Sequence, residues 1–176
     1  MKIQPSSKRN LGFTLIELLV VIAVIGLLAT VILVSLTQAR QKTRDTKRKA
    51  DAVQITKAIE MYFHQNGSYP ASGGATAPNG AWVNASDSSW DSLQTFLKPF
   101  LTKLPKDPIQ STNANIWGQS GYSYSYITCG KAYMFVYQLE VASGPDLGVD
   151  FCGTFYQYGG ATTNTTVKTV GTGSKN

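Results

Sequence analysis

Leu18 to Leu36 is a run of 19 residues without a charge, and Thr30 and Ser35 are its only polar side chains. Counting back to Phe13 lengthens it to 24 residues with one interruption, Glu17. A helix needs roughly 20 apolar residues to cross the hydrocarbon core of a bilayer. The run is longer than the apolar stretch of a signal peptide, about 7–15 residues, and lacks a small-residue cleavage motif at its far end. Instead "SLTQARQKTR" passes straight into charge. The segment is therefore expected to stay with the mature chain as a membrane helix. In 176 residues this leaves room for one modest domain.

Charge is as uneven as hydropathy. Residues 1–12 carry Lys2, Lys8 and Arg9, and residues 40–51 carry six basic residues against Asp45 and Asp51. From Val53 onward seven lysines balance seven acidic residues. The net charge of +6 thus sits on the two flanks of the apolar run. A nucleic-acid binder spreads its excess over a face, so flanking charge is the better reading and no nucleic-acid partner is expected. Counting cations alone would put the C-terminal flank inside the cell. Two cysteines, Cys129 and Cys152, lie in the neutral part. In an exported domain such a pair forms a disulfide; in a cytosolic one, free thiols are the default. The choice depends on the side of the membrane the domain occupies.

Glu17 is the anomaly. A carboxylate in a membrane helix is costly and tends to have a named partner. No basic residue lies one helical turn away; the nearest cations, Lys8 and Arg9, precede the run. Glu17 is then either at headgroup level or paired with another molecule.

"KRNLG-FTLIE-LLVVIAVIGLLA" resembles the N-terminus of the type IV pilin family, which includes the type II secretion pseudopilins: a short basic leader, Gly, Phe-Thr-Leu-Ile-Glu and about 20 apolar residues. The resemblance is strong over residues 8–65. It implies that a prepilin peptidase cuts between Gly12 and Phe13 on the cytoplasmic side, and that the same enzyme methylates the new amine of Phe13. It implies that Glu17 contacts the N-terminal amine of a neighbouring subunit during filament assembly on an assembly platform. It also places the head outside, which overrides the cation count and favours a Cys129–Cys152 disulfide. Many family members have a proline late in the apolar run. This chain reads "ATVILVSL" there, so no proline kink is expected.

No proline or paired glycine interrupts residues 13–65. "ADAVQITKAIEMYFHQ" spaces Ala52, Ile55, Ile59 and Tyr62–Phe63 as an amphipathic helix, and "NGSYP" at 66–70 stops it. A single helix of that length would be about 80 Å long. A short helix is expected at 89–97, from Trp90, Leu93 and Leu97. "GYSYSYIT" and "KAYMFVYQLE" alternate with period two and predict antiparallel strands turning at Cys129–Gly130; "GVDFCGTFYQYGG" predicts a third short strand. The expected fold is α+β, a pilin-like lollipop in which a long N-terminal helix packs on a small antiparallel sheet. Its parts are a cleaved leader (1–12), an apolar membrane and assembly helix (13–37), the amphipathic half of that helix (38–66), a head (67–160) and a flexible tail (161–176), the last rich in Thr, Gly and Ser.

Catalytic patterns are missing from the sequence. His64, the one histidine, reads as structural, and no nucleophile triad, phosphate loop or zinc spacing occurs. No cofactor is expected. Some related pseudopilins hold calcium in a C-terminal loop, and Asp146 and Asp150 in "SGPDLGVD" are candidates for such an ion on a non-specific spacing. Asn66, Asn84 and Asn164 match the glycosylation pattern, as chance allows in so Ser/Thr-rich a chain. The leading reading is a structural subunit of a type IV pilus-like filament, a homopolymer that passes from the inner membrane to the cell surface. The alternative is the major pseudopilin of a type II secretion system. A membrane-anchored enzyme or receptor domain gives no reason for Glu17 or the Gly12–Phe13 junction.

Overall fold

The computed structural model describes residues 13–72, 82–110, 122–141, 148–156 and 167–171. Two units divide the chain, one up to Arg40 and one from Gln41 on. Helix α1 runs from Leu15–Asn66 without a break, as expected of a stretch with neither proline nor paired glycine. In the first unit its apolar side chains are exposed, and the helix is long and apolar enough to cross a membrane. Two threonine hydroxyls within this stretch are satisfied locally: Thr30 donates to the carbonyl of Leu27 (2.7 Å) and Thr37 to that of Leu33 (3.1 Å). In lipid, where no water is at hand, that removes the cost of an unpaired polar group.

The second unit builds the head on the remainder of α1. The helix ends where "NGSYP" predicts. The Gly67 N–H donates back to the Phe63 carbonyl (2.8 Å), and Gly67 takes φ +71°, the left-handed conformation that glycine adopts without penalty. Helix α2 spans Ser89–Leu97 and buries Trp90, Leu93 and Leu97. Four strands form an antiparallel sheet in the order β1 (Val83–Asn84), β2 (Ser125–Thr128), β3 (Tyr133–Gln138) and β6 (Val167–Gly171). Tyr126 faces Phe135 and Ser125 faces Val136, so Tyr124, Tyr126, Tyr133, Phe135 and Tyr137 share one face. That face packs with Ala52, Ile55, Ala58 and Ile59 of α1 and the buried side of α2.

The opposite face is also covered. Ile127, Met134 and Val136 pack with Val149, Phe151 and Tyr156, which belong to a separate hairpin of β4 (Val149–Phe151) and β5 (Thr154–Tyr156). The single third strand expected in this segment is thus two strands. They turn at Cys152 (φ 53°) and Gly153 (φ 83°), a pair of positive φ angles suited to a two-residue turn. Cys152 in that turn is bonded to Cys129, just past β2, with Cα atoms 6.5 Å apart. The disulfide staples the small hairpin to the β2–β3 connection.

The tail needs a larger correction. Residues 161–176 are expected to be flexible, yet Val167–Gly171 within them is strand β6, paired with β3 from Val167↔Gln138 to Gly171↔Met134. The Thr- and Gly-rich sequence is a poor core former, but β3 carries aromatic and aliphatic side chains on both faces and offers an open edge. Backbone pairing to that edge supplies what the tail's own side chains do not.

Candidate assembly site

Phe13 precedes α1 and is 82% exposed; Gly12 lies outside the described residues. Thr14 is the last residue before the helix, and Glu17 is in its first turn. The Glu17 Oε2 accepts from the Thr14 N–H (2.9 Å) and from the Thr14 hydroxyl (2.7 Å), while the Glu17 N–H donates to Thr14 Oγ1 (3.3 Å). This is a reciprocal capping box, which satisfies otherwise unpaired N–H groups at a helix start. A carboxylate there also meets the positive end of the helix dipole. The acid therefore has a partner within its own chain. Sequence reasoning sought a cation and missed Thr14, although Thr-x-x-Glu ahead of an apolar run is the pattern of such a box.

The basic flank at 40–51 is a second correction. Only some of it faces solvent. Arg48 is fully buried, and it is the centre of an ion network that ties α1 to two distant segments. Its guanidinium donates to both oxygens of Asp107 (2.7 and 3.0 Å), to Asp45 (2.7 Å) and to Glu140 (2.7 Å), and its Cζ lies 4.3 Å above the Tyr122 ring. Arg44 adds a two-pronged pair to Glu140, with Nε at 2.6 Å. Asp45 also accepts the backbone N–H groups of Glu140 and Val141, both at 2.9 Å. One turn further on, the Tyr124 hydroxyl donates to buried Asp51 (2.9 Å).

Titration follows from this geometry. Burial works against the charge of Arg48, but the hydrogen bonds it donates to Asp107, Glu140 and Asp45 outweigh it and hold its pKa above the ordinary arginine value. The hydrogen bond from Arg44 holds Glu140 below the usual carboxylate range. Asp51 goes the other way: burial raises it, against the Tyr124 hydrogen bond and the charge of Lys47. Burial and the bond to Asp51 push Tyr124 well up. The arrangement holds charges in place; it presents no nucleophile or proton relay.

Of the calcium candidates, Asp146 lies outside the described residues, and Asp150 is an exposed residue of β4. Among the described residues no cluster of three His, Cys, Asp or Glu side chains is arranged to hold a metal. His64 sits in the last turn of α1 with its ring edge-on to Phe63.

Residues 7–33 match the family described as the prokaryotic N-terminal methylation motif. The chain is 31% identical to the type II secretion system core protein G of Klebsiella pneumoniae over 57% of its own length and 70% of that protein. This chain belongs to the type IV pilin and type II secretion pseudopilin family. It is 29% identical to the core protein G of Aeromonas hydrophila over 79% of its length and 90% of that relative. It is 48% identical to the type IV wide pilus major component PilA4 of Thermus thermophilus, but over 33% of this chain and 44% of that one. No solved structure gives a significant match. Membership makes the chain a structural subunit rather than an enzyme, of a kind processed by prepilin peptidase and assembled into polymers. Its prepilin motif and exposed apolar helix mark it for membrane insertion.

Proposed function

We propose that the chain is the major subunit of a secretion-type pseudopilus, which reverses the order of the two filament readings drawn from the sequence. One observation carries this: the likeness to core protein G extends through the head, over 90% of the Aeromonas protein, whereas the likeness to the wide-pilus component covers 58 residues. N-terminal stalks are shared widely in the family, so the head is the part that separates its members.

The working cycle begins in the membrane, with the head exported and residues 1–12 in the cytoplasm. Prepilin peptidase cleaves between Gly12 and Phe13 and methylates the Phe13 amine. Inside the bilayer, Thr14 caps Glu17 and lowers the cost of keeping a carboxylate there. On assembly Glu17 turns to the Phe13 amine of a neighbouring copy, and that pair sets the axial register. Attraction at low dielectric favours it, while desolvation of both groups limits the net gain. The filament is a homopolymer raised by an assembly platform.

The test has two parts. Mass spectrometry of assembled subunits should find a chain that begins at N-methyl-Phe13, and Glu17→Gln should insert and be cleaved but fail to polymerise. In the native host, deletion of the gene should abolish secretion of folded exoproteins and leave long surface pili in place. Subunits that retain residues 1–12 in fibres, or a deletion that removes surface pili and spares secretion, would overturn the reading.

A further inference from the structure

The buried ion network has a counterpart on the outside of the head. Lys47, Lys103 and Lys106, with Asp91, Leu104 and Pro105, line a groove of about 660 Å³. Three parts of the chain build it: Lys47 is on α1, Asp91 is on α2, and the other lysines are in the segment that follows α2. That segment is held at both ends. Gln94 of α2 donates to the carbonyls of Leu101 (3.2 Å) and Thr102 (3.4 Å) and accepts the Leu104 N–H. Beyond Lys106, Asp107 is fixed by both of its bonds to Arg48.

The same network turns two neighbouring carboxylates away from the lysines. Asp107 is next to Lys106, and Asp45 is two residues before Lys47, yet both carboxylates are turned inward toward Arg48. Asp91 in the groove and Asp51, which interacts with Lys47, offset part of the three ammonium charges. None of the three makes an ion pair with a described residue. Leu104 and Pro105 supply apolar walls, which concentrate the field at the groove.

We propose that this groove binds a phosphate-bearing anion, carried on a lipid headgroup or as a free phosphate compound. The donor set selects the chemistry. Each lysine offers three rotatable donors on a compact charge, which suits the non-bridging oxygens of a phosphate. The guanidinium forks that would take a planar carboxylate in two-pronged fashion, Arg44 and Arg48, are both engaged with the chain's own acids.

The experiment uses the full chain in non-ionic detergent. Sodium pyrophosphate is titrated calorimetrically at low salt and at about 150 mM, where screening acts within ~8 Å. Native mass spectrometry compares retention of phosphatidylglycerol and phosphatidylcholine. The wild type should bind pyrophosphate, or keep phosphatidylglycerol over phosphatidylcholine, and K47Q/K103Q/K106Q should weaken that binding at least about tenfold. K42Q/K49Q/K57Q removes the same charge from exposed positions outside the groove and should change it little. Binding of pyrophosphate alone assigns a free phosphate compound, and selective retention of the lipid alone assigns a headgroup. The idea fails if the wild type binds neither, or if the control triple loses as much as the groove triple. Should the groove triple have a lowered thermal midpoint, K47R/K103R/K106R decides: binding kept supports the site, and binding lost refutes it.

Discussion

Replacing Arg48 with Met is the sharpest test of how the head is held to α1. Methionine fills much of the same space but leaves three buried carboxylates without their shared cation. The loss is unequal. Glu140 keeps Arg44, and Asp45 keeps the N–H groups of Glu140 and Val141. Asp107 is fully buried in its side chain and keeps the hydrogen bond from the Ile109 N–H (2.9 Å). Removing one partner of a buried ion pair costs about 3–5 kcal/mol, and most of it should fall on Asp107. For a unit of this size that corresponds to a fall in Tm of about 10–20 °C. The assay is thermal or urea unfolding of the full chain in detergent, followed by tryptophan fluorescence, to which Trp90, buried in the head core, contributes. R48M/D107N should recover about 1–3 kcal/mol of the loss, because the stranded charge is then gone. An R48M midpoint within about 2 °C of wild type, or a double variant no better than R48M, would refute the account; differences that small are typical of surface sites.

Three further outcomes follow from individual sites. A Cβ at Gly171 would lie 2.2 Å from the Tyr133 carbonyl oxygen and 3.1 Å from its carbon, so Gly171→Ala should cost about 1–3 kcal/mol and strip hydrogen-exchange protection from Thr169 and Val170 while leaving β2 protected. C129S/C152S opens a link between residues 23 apart and should lower stability by about 3 kcal/mol in the chain-entropy model; calorimetry with and without reductant checks it, and the variant should be insensitive to reductant. Asp51 and Glu140 should act in opposite senses on stability against pH. Glu140, whose folded pKa is lowered, contributes stability that is present above 4.5 and lost as pH falls through its folded value. Asp51, whose folded pKa is raised, contributes stability that is present below 3.8 and lost as pH rises through its folded value. D51N should therefore melt higher than wild type at neutral pH, with the difference vanishing below pH 3.8; an equal or lower Tm at neutral pH would contradict the burial argument.

Much of the architecture was legible because its causes are local. The apolar run, the absence of proline and the Asn66–Gly67 stop define α1 by short-range rules. The spacing of Trp90, Leu93 and Leu97 defines α2, and period-two aromatics define β2 and β3. Thr14 was legible as well: its box with Glu17 spans three residues, and it was missed because a charge suggested a cation before a hydroxyl. Other features had no local cause to find. Nothing in "RDTKRKAD" distinguishes Arg48, which is buried, from Lys47 and Lys49, which are exposed. The difference lies in Asp107 and Glu140, 59 and 92 residues away, which meet Arg48 only once the head has folded. Strand β6 is the same case for the backbone. Its sequence carries little apolar signal, and the open edge of β3 recruits it. Local chemistry dictated the elements; long-range pairing of charges and strand edges decided which residues became core, which faces kept a net charge, and therefore where an anion can dock.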